Sequence, residues 1–240
     1  MLTVQNLHVG YGVFEVLFGI ELVVQKGAWV SIVGTNGSGK TTLMNALMGI
    51  NLPTHGLVQW KDLDITYHKP FERCRLGMGY LAEGRQLFPH LTVHENLELG
   101  AIAARLPKIP RQKKIQEVYQ RFPHLFQRRK QKAGTLSGGE QQILALARCL
   151  IADPEILLCD ELSLGLSPAA VKDFFKVLQD LHNKGTTILM VEQNVELALQ
   201  LCTYGYVLDQ GQVTLSGTGK ELLKNPQVQE VYLGFSTNDN

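Results

Sequence analysis

The sequence lacks the features of a membrane-spanning, secreted or disulfide-stabilised protein. Its longest apolar runs fall far short of the ~18 residues that a membrane-spanning helix needs. Residues 1–6 have neither the basic flank nor the apolar stretch of a signal peptide, so we expect a protein that stays in the cytosol. Cys74, Cys149, Cys159 and Cys202 lie far apart without a C-x-x-C pair, and we expect reduced, mostly buried thiols.

The chain has almost no net charge, at +1, but its charges are unevenly distributed. Ten lysines and arginines lie between Arg105 and Lys132 with one acid, Glu117, so this segment carries +9 and the remainder −8. Such a segment suits either nucleic-acid phosphates or a solvated helical face, which can lie near anionic lipid headgroups. We favour the solvated face, and we do not expect nucleic acid to be a partner.

A glycine-rich segment matches a phosphate-binding loop. Residues 34–41, GTNGSGKT, fit G-x-x-x-x-G-K-[ST] at every fixed position, and they lie between the apolar run Trp29–Val33 and a helical pattern. Glycines let backbone N–H groups face a triphosphate, and the following helix adds the positive end of its dipole. The predicted nucleotide-binding residues are Gly34, Asn36, Gly37, Ser38, Gly39, Lys40, Thr41 and Thr42.

Three side chains have specific predicted roles at this site. Lys40 is expected to reach the β- and γ-phosphates, and the Thr41 hydroxyl to contact Mg²⁺. Tyr11 lies in a Tyr-Gly turn between the first two predicted strands. Its ring suits stacking on a nucleotide base, although a lone aromatic is more often a packing residue.

Two acids follow a second buried strand. Residues 156–159 are an apolar run that ends at Asp160 and Glu161. A strand end that presents two carboxylates suits Mg²⁺ binding and water activation in phosphoryl transfer. We therefore predict that Asp160 lies on the Mg²⁺ side and that Glu161 polarises the attacking water.

A second loop has the residue types of an anion-binding helix start. Ser137, Gly138 and Gly139 precede Glu140, which completes a capping box with Ser137. A serine and two glycines at a helix N-terminus can bind an anion, although ordinary capped helices look similar. The pattern gains weight because the chain already holds a phosphate-binding loop.

These three segments, in this order and spacing, resemble those of the ATP-binding cassette (ABC) ATPases over about residues 2–235. Four stretches are similar to the LivF-type ATP-binding subunit of branched-chain or neutral amino-acid importers, a branch that includes urea and amide importers. They are residues 83–93, 133–142, 163–168 and 191–194.

The resemblance implies an α/β fold. We expect one ABC ATPase domain over 1–240, a P-loop NTPase core with a mostly parallel sheet and an N-terminal antiparallel β subdomain. The core and antiparallel part are expected over about 1–89 and 151–235. A helical subdomain is expected to be inserted over about 90–150.

It also implies a motor that hydrolyses ATP, with Mg²⁺, between two subunits. ATP is expected to lie between the phosphate loop of one subunit and the Ser137–Gly139 equivalent of the other, in a heterodimer rather than a homodimer. The expected partners are a second ABC ATPase subunit, transmembrane permeases and, indirectly, a solute-binding protein. The expected location is peripheral, on the cytoplasmic face of the plasma (inner) membrane. The alternatives are a urea or amide importer and a soluble ABC ATPase that acts on ribosomes or DNA.

Four residues depart from the common pattern of this family. Glu83 stands where most members have a glutamine near Mg²⁺, and Gln193 stands where a switch histidine near the γ-phosphate is usual. We expect Glu83 to approach the metal and Gln193 to donate to a phosphate oxygen without adding charge. Leu162 and Leu166 replace a common proline and aspartate beside a loop that connects the subunits.

Overall fold

The structure is a computed structural model that describes residues 1–232. The strands are β1 (Leu2–Tyr11), β2 (Phe14–Val24), β3 (Trp29–Val33), β4 (His55–Trp60), β5 (Leu63–Asp64), β6 (Met78–Leu81), β7 (Ile156–Asp160), β8 (Thr187–Glu192), β9 (Tyr204–Asp209) and β10 (Gln212–Gly217). The helices are α1 (Lys40–Leu47), α2 (Pro70–Arg75), α3 (Val93–Ala103), α4 (Lys108–Arg121), α5 (Pro123–Gln127), α6 (Gly138–Leu150), α7 (Pro168–Asn183), α8 (Val195–Leu201), α9 (Gly219–Lys224) and α10 (Pro226–Tyr232), with a 3₁₀ turn at Ala133–Thr135.

The strands form two sheets of different kinds. The first has the order β2-β1-β4-β5, and all its neighbouring strands are antiparallel. The second has the order β10-β9-β3-β8-β7-β6, and all its neighbouring strands are parallel except the β9–β10 hairpin. The predicted α/β fold, with a mostly parallel sheet and an N-terminal antiparallel part, is confirmed.

The central strands of the parallel sheet are covered on both faces. Every residue of β3, β7 and β8 is buried, which explains why their sequences are continuous apolar runs rather than alternating ones. In β7, Leu157 and Cys159 pack with the helices that follow β6. Ile156 and Leu158 pack on the opposite face, with α1 and the antiparallel sheet. The sheet therefore lies between two hydrophobic layers.

Strand register brings the chemically important segments to one edge. Val33, at the end of β3, pairs with Glu192 at the end of β8. Asp160, at the end of β7, pairs with Val191 of β8. Because these strands are parallel, the residues that follow each of them emerge on the same side of the sheet.

Helices α3 to α6 lie between β6 and β7 in the chain. The helical spacing at Ile115, Val118, Tyr119 and Phe122 predicts a buried stripe, and all four side chains are buried. No helix within residues 1–232 is both long enough and apolar enough to cross a membrane.

The prediction of mostly buried cysteines is wrong in part. All four thiols are free, but only Cys159 is fully buried. Cys149 and Cys202 are half-buried, and Cys74 is exposed because α2 directs Arg73, the residue before it, into the interior. The pKa of the Cys159 thiol is raised by burial, as expected for an unreactive core cysteine.

A buried arginine holds the end of the helix that begins at the phosphate loop. Arg73 is fully buried, and its Nη1 donates to the Ala46 and Leu47 carbonyls at the end of α1, each at 2.8 Å. Its Nη2 donates to the Thr66 carbonyl at 2.8 Å and its Nε to the His68 carbonyl at 3.1 Å. Burial lowers the pKa of Arg73 to about 10. The guanidinium thus satisfies helix-end carbonyls that have no partner within the helix.

We expect Arg73→Met to lower the free energy of unfolding by about 3 kcal/mol or more, because the Leu47, Thr66 and His68 carbonyls lose the guanidinium donor. Urea denaturation followed by circular dichroism measures the change. Arg75→Met on the same helix is the matched control, since Arg75 is exposed and lies over the Phe71 ring. An unchanged midpoint for Arg73→Met would contradict this role.

Candidate nucleotide site

The loop between β3 and α1 has a backbone that requires glycine at several positions. Gly37 and Gly39 have positive φ angles of 80° and 104°. At Gly34, a Cβ atom would lie 2.1 Å from the Leu208 carbonyl oxygen, so no larger residue fits. The glycines of the motif therefore serve both the loop conformation and the close packing of β9 against it.

Lys40 begins α1 and turns back onto this loop. Its side chain is 3% exposed, and Nζ donates to the carbonyls of Gly34 and Thr35, each at 3.0 Å. Nζ also lies 3.3 Å from Oε1 of Glu161. The predicted catalytic lysine and carboxylate are thus neighbours, and the ammonium is saturated by protein oxygens.

Thr41 and Asp160 also meet. The Thr41 hydroxyl donates to Asp160 Oδ1 at 3.3 Å, and Asp160 is fully buried. Burial, more than the nearby carboxylates of Glu161 and Glu83, raises the Asp160 pKa to about 6. A buried carboxylate with two like charges nearby favours a cation in this place.

Tyr80 is a member of the site that sequence reasoning missed. Its hydroxyl lies 3.0 Å from Asp160 Oδ2 and 3.2 Å from Asn45 Oδ1, and can donate to either. Burial and the negative charge of Asp160 raise the pKa of Tyr80, so the phenol keeps its proton. The only available signal was its place in β6, the strand that pairs with β7.

Glu161 has an unusual backbone conformation, with a φ angle of 46°. Its N–H donates to the Val191 carbonyl at 3.0 Å, which fixes the turn after β7. The side chain is 13% exposed and therefore accessible to water as well as to Lys40. A non-glycine residue held at positive φ at the end of a strand is typical of functional sites.

Glu83 lies in a cavity with the Thr41–Asp160 pair. The cavity has a volume of about 490 Å³ and is lined by residues of α1, β6, α6 and the loop after β6. Glu83 is exposed there and raises the Asp160 pKa, so its charge is felt at the carboxylate. The structure therefore brings Glu83 to the predicted metal side.

The remaining loop residues differ in their surroundings. Thr35, Asn36 and Gly37 are exposed, whereas the Ser38 hydroxyl is buried and has no hydrogen-bond partner among the described residues. A buried polar atom without a partner is costly, and an incoming phosphate oxygen would supply the missing one. This feature fits a phosphate ligand.

Tyr11 is tied to the start of α1. Its hydroxyl accepts from Asn51 Nδ2 at 2.6 Å and lies 3.5 Å from the Thr42 hydroxyl, while half of the side chain stays exposed. The hydroxyl is thus anchored beside the phosphate loop and part of the ring remains available for contact. This arrangement suits base stacking.

We expect Tyr11→Ala to weaken nucleotide binding roughly tenfold, because aromatic stacking on a base is lost. Tyr11→Phe should bind within about twofold of the wild type, since it keeps the ring and loses only the hydroxyl contacts. Titration with a fluorescent ATP analogue measures both affinities. Equal affinity for Tyr11→Ala would assign the ring to packing instead.

Gln193 follows β8 at the same sheet edge, but it is exposed and makes no side-chain hydrogen bond within residues 1–232. The structure therefore does not join it to Lys40 or Glu161. Its neighbour Glu192 is fully buried and accepts from Ser163 N at 3.0 Å and Ser163 Oγ at 2.7 Å. This bond links the ends of β8 and β7, and sequence reasoning missed it.

Ser137, Gly138 and Gly139 open α6 as predicted. The Ser137 hydroxyl accepts from Glu140 N at 3.4 Å, and the Glu140 carboxylate accepts from Ser137 N at 2.9 Å, so the capping box is confirmed. No hydrogen bond in the described part of the chain joins these residues to the loop 34–39. Leu162 is buried in the core. Leu166 lies beside the start of α6, where its Cδ2 would be 3.5 Å from a Cβ on Gly138.

The donor atoms fit a magnesium ion. Thr41 and Asp160 offer a hydroxyl and a carboxylate, and Glu83 adds another carboxylate to the same cavity. Mg²⁺ prefers oxygen ligands, and in nucleotide enzymes it takes most of them from phosphates and water. A pair of protein oxygens beside a phosphate loop is therefore enough.

Known proteins that are similar in sequence are ATP-binding subunits of transporters. A family model described as "ABC transporter" matches residues 17–163. The chain is 37% identical to the high-affinity branched-chain amino acid transport ATP-binding protein BraG of Pseudomonas aeruginosa, over 98% of this chain and 100% of BraG. It is 32% identical to the lipopolysaccharide export system ATP-binding protein LptB of Haemophilus influenzae, over 98% of this chain and 97% of LptB.

The solved structures that resemble this fold are ATP-binding cassettes. A nucleotide-free ATP-binding cassette from an ABC transporter superposes with a TM-score of 0.86 at 29% identity, covering 98% of this chain and 99% of that one. A dimeric cassette in a post-hydrolysis state with ADP and Pi superposes with a TM-score of 0.79 at 26% identity, covering 91% of this chain and 98% of that one.

Proposed function

The chain belongs to the ABC transporter family, and from this premise we propose that it drives an importer of branched-chain or neutral amino acids. Family membership makes it an ATP-hydrolysing subunit of a transporter. The observation that carries the site is the meeting of Lys40, Thr41, Asp160 and Glu161 at one sheet edge. The amino-acid substrate is supported by the identity with BraG over essentially the whole of both chains.

ATP binding requires Lys40 to change partners. In the structure its ammonium is bound to the Gly34 and Thr35 carbonyls and to Glu161. We infer that the β- and γ-phosphates replace some of these oxygens, while the loop N–H groups and the Ser38 hydroxyl gain phosphate partners. The lysine would then leave Glu161 free to act on water.

Thr41 and Asp160, with Glu83 beside them, are the residues that would hold Mg²⁺. When bound with ATP, the ion supplies positive charge to the phosphate oxygens. Tyr80 orients Asp160 through its hydroxyl. Filling the site with a cation would offset the cost of the buried Asp160 carboxylate.

Glu161 is the residue that we assign to water activation. It is partly exposed and next to Lys40, whereas Asp160 is buried and already accepts hydrogen bonds. Gln193 is exposed at the end of β8. Its side chain would have to change position to donate its amide to a phosphate oxygen. Its amide adds no positive charge to the transition state.

A second cassette subunit completes the site in this proposal. Within residues 1–232, Ser137, Gly138 and Gly139 make no hydrogen bond to their own phosphate loop, so they would serve the nucleotide of a partner subunit. The similarity to a dimeric cassette with ADP and Pi supports a dimer. We favour a partner with a different sequence, as the amino-acid importer resemblance implies.

The cavity beside Glu83 is the proposed contact with a permease. Its lining includes Ile50, an apolar residue that is 52% exposed, and loop residues that follow β6. A permease segment would contact Ile50 and the loop after β6, and would leave the Thr41–Asp160 pair to Mg²⁺ and the nucleotide. The subunit would then be peripheral, on the cytoplasmic face of the membrane.

Export is the second candidate function. LptB is similar over nearly the same length as BraG and at 32% rather than 37% identity, so a lipopolysaccharide exporter is a specific alternative. The two candidates share the ATPase chemistry and differ in the permeases that they drive. Partner identity therefore decides between them.

The test is affinity purification of the tagged subunit from detergent-solubilised membranes of its own host, with mass spectrometry of the recovered proteins. We expect to recover multi-span permeases and a second cassette subunit that belong to an amino-acid importer. Ile50→Asp should reduce permease recovery, because it places a charge on the exposed apolar residue at the proposed permease contact. Ile109→Asp is the matched control, since Ile109 is 80% exposed on α4, away from the cavity.

Recovery of lipopolysaccharide-export permeases would replace the import proposal with the export one. Urea or amide importer components would keep the importer and change the solute. Recovery of only ribosomal or DNA-associated proteins would overturn the transport proposal and leave the ATPase site in place.

A further inference from the structure

The loop that follows Glu83 has a strained backbone. Gly84, Arg85 and Gln86 have consecutive positive φ angles of 74°, 65° and 48°. Glycine adopts such angles freely, but Arg85 and Gln86 do so at a cost in free energy. Strain of this kind persists only where surrounding contacts hold it. The contacts of Arg85 identify what holds it here.

The Arg85 guanidinium reaches two other loops. Its Nη1 donates to Gln141 Oε1 at 2.9 Å, in the first turn of α6, and its Nη2 donates to the Gly165 carbonyl at 3.5 Å, between β7 and α7. A Cβ on Gly138 would lie 3.1 Å from Nη2, so the loop Ser137–Gly139, here called the signature loop, passes directly against the same group. One side chain therefore joins the loop after β6 to the start of α6 and to the segment between β7 and α7.

Gln141 extends this contact to the entrance of the signature loop. Its Nε2 donates to the Leu136 carbonyl at 3.1 Å and to the Ala133 carbonyl at 3.3 Å. These two bonds use the amide nitrogen, so Oε1 is the atom that faces Arg85. The chain of bonds runs from Arg85 through Gln141 to the residue before Ser137.

The loop around Gly165 is held from its other side as well. Ser163 donates twice to the buried Glu192, the residue before Gln193. The segment 163–167 is thus bound to the end of β8 through Glu192 and to the loop after β6 through Arg85. A displacement of the end of β8 or of the loop after β6 would therefore displace the segment 163–167.

We propose that Arg85 is a positioning residue that keeps the signature loop Ser137–Gly139 and the segment 163–167 in fixed relation to the loop 83–90. Moving the loop 83–90 would then move both segments that face a partner subunit. Transmission from a permease rests on the proposed function, because the permease contact lies beside Glu83. The contact network itself lies within one chain and can be tested without a partner.

Arg85→Gly is the informative variant. Glycine adopts the same positive φ without strain, so this change removes the guanidinium and not the backbone turn. Arg105→Gly is the matched control: Arg105 also has a positive φ, 54°, is exposed, and makes no side-chain hydrogen bond within residues 1–232. Both variants make the same chemical change in the same backbone conformation.

The first measurement is hydrogen exchange of the full chain without nucleotide. We expect Arg85→Gly to speed amide exchange about tenfold in peptides covering 133–142 and 161–167. Arg105→Gly should leave both peptides unchanged. Wild-type exchange in both peptides of Arg85→Gly would overturn the proposal, whatever partners the subunit has.

The second measurement separates positioning from direct action on ATP. In the complex purified with its membrane partners, we expect Arg85→Gly to lower kcat about tenfold. Its equilibrium affinity for ATP should stay within about twofold of the wild type, because Arg85 has no hydrogen bond to residues 34–42. A loss of affinity equal to the loss of kcat/KM would overturn the positioning role. If no permease is recovered, the proposed function fails, while the exchange measurement still decides the network.

Discussion

Lys40→Ala is expected to abolish ATP turnover, with a fall in kcat of about 10²-fold or more. Lys40 is the one cation of the phosphate loop, and its ammonium lies 3.0 Å from two loop carbonyls and 3.3 Å from Glu161. Alanine removes the fixed charge that would balance the γ-phosphate as it is transferred. Phosphate release from MgATP by the purified subunit or complex measures the effect.

Lys172→Ala is the matched control, because Lys172 is exposed on α7 and makes no ion pair within residues 1–232. Circular dichroism should show that both variants fold. This check is needed because Lys40 also bonds its own loop in the absence of ATP. Normal hydrolysis by a folded Lys40→Ala protein would refute the assignment of the active site.

Glu161→Gln is expected to bind ATP and to stop before hydrolysis, with a turnover about 10²–10⁴-fold below the wild type. Glutamine has the same shape and can still accept from Lys40, so the loop and the ATP site should persist. It cannot take a proton from water, which is the role assigned to Glu161. ATP should therefore hold this subunit and its second cassette subunit together, and size-exclusion chromatography of the two with MgATP should show a larger species.

Glu155→Gln provides the comparison at the opposite end of the same strand. Glu155 immediately precedes β7 and pairs with Lys61 at 2.7 Å on the surface, far along the strand from the nucleotide site. Its variant should hydrolyse ATP normally and show no ATP-dependent change in size. Unchanged turnover in Glu161→Gln would mean that another group activates the water.

Much of the fold could be predicted because its signals are local. The all-buried strands β3, β7 and β8 are readable as short apolar runs, and the hairpin at Gln210-Gly211 follows from its turn residues. Helix starts at Thr92 and Ser137 follow from capping boxes within four residues. The cysteine prediction failed because composition does not say which side of a short helix Cys74 occupies.

Parts of the site were out of reach of pattern reasoning. Tyr80 and Asp160 are 80 residues apart, and Arg73 lies 26 residues from the Leu47 carbonyl that it binds. Neither Tyr80 nor Arg73 belongs to a motif with a fixed spacing. The roles assigned to Gln193, Glu83 and Ser137–Gly139 remain predictions, since each depends on a nucleotide or a partner subunit.

The phosphate loop can be recognised from sequence alone, as can the two acids after β7, the capped start of α6 and the alternation of elements that gives an α/β fold. These follow from residues close together in the chain, where backbone conformation and burial restrict the residue types directly. Only the tertiary structure decided that Lys40 rests on its own loop and Glu161, that Glu192 holds Ser163, and that Arg85 binds Gln141. Such bonds join distant segments, and their partners are set by strand register and packing rather than by any local pattern.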